Sequence, residues 1–104
     1  MMNWKNVALH GSNGIARVCG EYEITDTRLP AAKYKIKVLE RRESFFASPN
    51  VAVKESDGTP EWIGGLGRTE LEALQDAIAR MGERFALRSR WNEDELEWSD
   101  PRDF

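Results

Sequence analysis

The stretch Ala16–Val38, ARVCGEYEITDTRLPAAKYKIKV, decides how the chain folds. Two alternating runs flank a turn-rich centre. In the first, Val18, Tyr22 and Ile24 fall on one face, and Arg17, Glu21 and Glu23 on the other. In the second, Tyr34, Ile36 and Val38 alternate with Lys33, Lys35 and Lys37. Setting Ile24 opposite Tyr34 brings Tyr22 opposite Ile36 on the apolar face. The same register sets Glu23 opposite Lys35 and Glu21 opposite Lys37 on the charged face. Opposite charges facing across strands contribute about 0.2–1 kcal/mol each. A slip of one residue would lose both matches. An antiparallel hairpin is thereby predicted residue by residue.

Working outward, the run Asn6–His10 reads as a short first strand, ended by the turn-forming Gly11–Gly14. The second run continues through LERRESFF to Phe46. Val51 and Val53 lie on one face of a further strand, which Asp57, Gly58 and Pro60 terminate. EWIGGLG is a last strand rich in glycine. Thr69, followed three residues on by Glu72, is a capping box. Leu71, Leu74, Ile78, Met81 and Phe85 then repeat at three- and four-residue spacing. These predict a helix from Glu70 to near Arg88, with Gly82 a local weakness. The expected class is α+β: a mostly antiparallel sheet of four to five strands with one long amphipathic helix on one face. Residues 1–90 form the domain and 91–104 an acidic C-terminal extension.

Several chemistries lack their residues. A single cysteine, Cys19, leaves no intrachain disulfide and makes the cytoplasm the default setting. One cysteine and one histidine cannot form a Cys/His zinc site. The first residues lack a secretory apolar run, and no membrane span is expected. His10 in HGSNG has neither an orienting carboxylate nor a nucleophile elbow around Ser12. Gly64–Thr69 lacks the lysine and spacing of a phosphate loop. No catalytic residue, metal ligand or cofactor is therefore expected, and Cys19 reads as an inert strand residue. Lys33, Lys35, Lys37 and Arg41 form a basic row, but the glutamates of the hairpin neutralise it and Tyr34 points the opposite way. With a net charge of −3, direct nucleic-acid binding is not expected.

The charge is uneven. From residue 92 onward six carboxylates stand against Arg102, a charge of −5 that leaves +2 for residues 1–91. Trp91 and Trp98 are seven apart, which would put them on one side of a short helix, with Glu93, Asp94 and Glu97 around it. Alternatively, the two tryptophans fold back onto the uncovered sheet face. Tryptophan is enriched at binding hot spots, and acids around it steer a surface toward a basic partner. The candidate partner-binding residues are Trp91 and Trp98 as anchors, with Glu93, Asp94, Glu95, Glu97 and Asp100 as counter-charges.

Two resemblances bear on function. Over residues 34–79 the chain resembles HicB-type antitoxins: YKIKV resembles their opening strand. Gly67, Thr69, Glu72, Ala73, Leu74, Ala77 and Ile78 of GLGRTELEALQDAI match their helix motif. Such antitoxins often carry a C-terminal DNA-binding unit, which has no counterpart here. In size and acidity the chain is similar to bacterial immunity proteins, including those of contact-dependent growth inhibition. The resemblances imply a non-enzymatic cytoplasmic inhibitor of a cognate protein toxin, a basic nuclease domain. The alternative is an accessory or assembly domain of mobile-element origin. A homodimer through an edge strand stays open.

Overall fold

The computed structural model describes residues 3–104. Strands β1 (Arg17–Thr25), β2 (Lys33–Glu40), β3 (Phe45–Pro49) and β6 (Gly65–Gly67) form a four-stranded sheet in the order β1-β2-β3-β6. Strands β4 (Val51–Lys54), β5 (Pro60–Glu61) and β7 (Leu96–Trp98) form a smaller one in the order β5-β4-β7. All pairs are antiparallel. Helix α1 (Glu70–Phe85) packs on β6, β3 and β2. The fold is α+β, as expected, although its strands divide into two sheets.

The β1–β2 hairpin has the predicted register: Ile24 faces Tyr34, Tyr22 faces Ile36, Glu23 faces Lys35 and Glu21 faces Lys37. The ion pairs themselves run diagonally, Lys33–Glu23 at 3.0 Å and Lys35–Glu21 at 3.6 Å. Strand twist brings long side chains toward the diagonal neighbour. Val18 departs from the expected face. A bulge between Val18 and Gly20 inserts Cys19, so Val18 stands opposite Leu39 and is 61% exposed.

Two strand readings differ from the structure. The run expected to extend through Phe46 breaks at a tight turn, where Arg41 N–H donates to Ser44 O at 2.9 Å, and returns as β3. Asn6–His10 is not a strand. Asn3 caps a 3-10 turn over Trp4–Asn6, and His10 and Gly11 adopt φ of 48° and 91°. The Asp57–Gly58 turn forms as read, with Gly58 at φ 87°.

The helix begins at the predicted cap, with Thr69 Oγ1 accepting from Glu72 N–H at 3.1 Å. Its buried stripe is rotated from the expected one. Ala73, Ala77, Met81 and Phe85 are buried, Leu74 and Ile78 flank them, and Leu71 is 69% exposed. The glycines of β6 cause this. A Cβ on Gly65 would lie 2.3 Å from Ala73 O, and one on Gly67 would lie 2.5 Å from Ala73 N. Only a face of alanines can sit so close to a strand of glycines. The helix ends at Phe85 rather than Arg88, where the Trp91 indole N–H takes the Phe85 carbonyl at 3.0 Å. Along the outer edge of β6, Asp76 accepts the Leu66 N–H at 3.0 Å, which blunts that edge.

Asn50 carries the chain from one sheet to the other. Its N–H donates to Lys35 O and its Oδ1 accepts from Lys35 N, each at 2.9 Å. Its own carbonyl is left free to accept Ser99 N–H at 2.9 Å.

Gly65→Ala should therefore lower stability by about 1–3 kcal/mol through overpacking. Gly82→Ala, whose new Cβ meets nothing within 4 Å, should raise it by about 0.5–1 kcal/mol. Urea midpoints of the two variants measured beside the parent chain would check both.

Candidate functional site

Residues 91–104, expected as a separate extension, are part of the fold. Trp91 is 6% exposed and belongs to the core. Its ring meets Phe85 edge-on at 6.1 Å, and Phe85 in turn meets Tyr34 at 5.6 Å. Its backbone N–H donates to Arg28 O at 2.8 Å, and the Arg88 guanidinium lies 5.2 Å from its ring. Trp91 is thus an internal anchor, not a free partner contact. Burial of an indole beside a helix end satisfies both its ring and its N–H, which exposure would not.

Nor do Trp91 and Trp98 share a helix. Asn92 precedes a single 3-10 turn over Glu93–Glu95, and β7 then pairs with β4: Val51 with Trp98, Ala52 with Glu97 and Val53 with Leu96. Val51, Ala52 and Val53 of β4 are all buried, Val51 and Val53 in the core. Leu96 enters the core and Glu97 points away from it. Trp98 is half-buried, its indole N–H donating to Glu93 Oε2 at 3.2 Å.

The expected counter-charges divide into two groups. Glu95 pairs with Arg88 and accepts Asn92 N–H at 3.0 Å. Asp100 pairs with Arg102 at 3.3 Å, and that guanidinium lowers its pKa. Glu93, Asp94 and Glu97 are exposed, and among the described residues none of the three forms an ion pair. They lie on and beside β7, an edge strand of the smaller sheet. Farther on, the Lys37 ammonium sits 4.9 Å from the Phe104 ring and donates to the Phe104 carbonyl oxygen.

The other singled-out motifs lie in a turn or in packing contacts. His10 is exposed in its turn. Gly64 lies under the Phe46 ring, and Gly65 and Gly67 lie under the helix. Tyr34 points into the core as its parity required, and burial pushes its pKa up to about 12. Among the described residues no three His, Cys, Asp or Glu side chains are grouped to hold a metal ion, and no helix is long and apolar enough to cross a membrane.

What sequence reasoning missed is β7 itself. The alternation Leu96-Glu97-Trp98 was the available signal, but three residues are too few to separate a strand from a helix turn.

No family model matches the chain, and no solved structure matches it. Among curated proteins it is similar to peptide chain release factor 1 of Rhizobium rhizogenes (strain K84 / ATCC BAA-868), 32% identical over 78 residues. The match covers 75% of this chain and 22% of that protein, so the chain spans well under half the length of the relative.

Truncation after Arg90 should unfold more than the last strand, because it removes Trp91 and uncovers Val51 and Val53. Trp91→Ala alone should cost about 3–5 kcal/mol, read from chemical denaturation. The loop that receives Trp91 should be acid-sensitive. Arg28 hydrogen bonds hold the Asp26 carboxyl below its usual range. A depressed carboxylate contributes stability that is fully present above the unfolded value of about 3.9 and is lost as pH falls through the folded one. Denaturation midpoints should fall as pH drops below about 5 and through the depressed Asp26 pKa, and less steeply in Asp26→Asn.

Proposed function

We propose that the chain is a small non-enzymatic inhibitor of the cytoplasm, an immunity protein or antitoxin, that neutralises a basic protein toxin of the nuclease kind. The observation that carries this reading is the acidic edge strand. Asp94 and Glu97 are exposed and unpaired among the described residues, with Glu93 beside them, on a segment that Trp91 and Leu96 hold rigidly against the core. Charges fixed in place before binding lose little conformational freedom on association. They also speed the approach of a basic partner. The outer edge of β7 adds backbone groups for a partner strand to pair with. The resemblance to HicB-type antitoxins and to immunity proteins of contact-dependent growth inhibition supports the same class. Trp98 and Asp100 belong to the rim of the proposed contact, whereas Trp91 and Glu95 shape it from within.

The likeness to part of a peptide chain release factor favours a second reading, a domain that works in peptide-chain release. Adding the purified chain to a peptide-release assay separates the two. An altered release rate supports the second reading, and an unchanged rate removes it.

The inhibitor reading is tested with the full chain and an Asp94→Lys/Glu97→Lys variant as paired baits, followed by nuclease assays on what is retained. The expected result is one basic protein, inhibited stoichiometrically by the parent chain, with affinity at least tenfold weaker for the variant and falling with salt. Equal inhibition by both chains would remove β7 from the contact. Retention of no nuclease would remove the inhibitor reading.

A further inference from the structure

The topology segregates charge. The acidic residues lie beside β4 and Asn50, where β3 ends. The opposite end of the four-stranded sheet gathers the start of β1, the β2–β3 turn and the end of β6. Arg17, Arg41, Arg42 and Arg68 are thereby brought to one rim. Glu40 holds Arg17 and Lys5, each at 3.1 Å. Arg41, Arg42 and Arg68 have no carboxylate within 4.0 Å among the described residues. Glu43 lies in the same turn, and Glu70 at the helix start accepts the Tyr22 hydroxyl. An open cleft of about 700 Å³ runs between the N-terminal arm and the turn, with Leu9, Ile15 and Ala16 facing Arg41 and Arg42.

Next to this rim, the sheet face that the helix leaves uncovered carries one apolar residue per strand. Val18 stands opposite Leu39, Leu39 opposite Phe46, and Phe46 opposite Leu66. Val18 and Leu66 are more than 60% exposed. The Arg41 guanidinium lies 4.9 Å from the Phe46 ring centroid. Lys33 and Lys35 on the same face are occupied by glutamates and Lys37 by Phe104, so they add no free charge. An apolar sheet face with an aromatic ring, rimmed by unpaired arginines, suits stacked bases and their phosphates. A guanidinium held over a ring offers a flat stacking surface, which favours a heterocycle over an acidic peptide.

We propose that this face binds single-stranded nucleic acid at its arginine rim. Bases stack on the Arg41 guanidinium that the Phe46 ring backs, with Leu39 beside it, and phosphates meet Arg42 and Arg68. The net charge of −3 and the lysine row had argued against any such contact, but Glu93, Asp94 and Glu97 sit at the other end, and the last segment meets this face at Lys37, away from the arginine rim.

The test is fluorescence anisotropy of the full chain with labelled oligo(U) and oligo(dT) of about ten nucleotides, over a range of salt. Two phosphate contacts predict a slope of log affinity against log salt of about −1.4. Arg42→Glu/Arg68→Glu should weaken binding at least tenfold and flatten that slope by about 1.4. Phe46→Leu should weaken it about tenfold with the slope unchanged, since it removes stacking and no charge. Circular dichroism melts establish that both variants fold. Binding of either oligonucleotide with this pattern sustains the proposal. No binding at low salt, or equal binding by the arginine variant, overturns it. So does a mononucleotide competing as well as the oligomer. Salt-sensitive self-association lost in the arginine variant, with no oligonucleotide bound, would assign the rim to the acidic end of a second copy instead.

Discussion

At Asn50 the chain passes from the larger sheet to the smaller with both of that residue's backbone groups paired, and the side chain helps to make this possible. Its Oδ1 takes the Lys35 N–H that a backbone carbonyl would otherwise receive in the ladder. The Asn50 carbonyl is then free to turn toward Ser99 in the second sheet. Buried backbone groups left without partners are costly, so a strand that changes sheets needs such a substitute. The position of β4, the docking of β7 and the placement of the acidic edge all follow from this junction.

A chain of aromatic contacts reinforces it. Tyr34 on β2 meets Phe85 at the end of the helix, and Phe85 meets Trp91 at the start of the last segment. One layer of the larger sheet, the helix and the smaller sheet thereby share a core. Close approach of the helix depends in turn on Gly65 and Gly67 facing Ala73 and Ala77. The glycines before the helix serve packing.

The same architecture separates the two charged surfaces. Acids collect where β7 ends the smaller sheet, and arginines collect where β1, β2, β3 and β6 reach their common end. In between, the hairpin neutralises Lys33 and Lys35 with its own glutamates. A chain of modest net charge thus presents two surfaces of opposite sign, each held by rigid strands.

Much of the local structure was legible in the sequence. The β1–β2 register followed from Glu21, Glu23, Lys35 and Lys37, because both faces of a hairpin constrain the same alignment. The helix start at Thr69 and the turn at Gly58 rested on hydrogen bonds within a few residues. The stripe of α1, the bulge at Cys19 and the return of β3 were not legible, since each is set by a neighbour distant along the chain. Trp91 shows the limit most plainly. By itself it reads as an exposed anchor among acids, and only the packed structure places a pocket of Phe85 and Arg28 around it. The sequence by itself determined the elements whose partners lie close along the chain. Tertiary structure decided which apolar residues became core and which acids stayed free, because burial is a property of what packs against a residue and not of the residue.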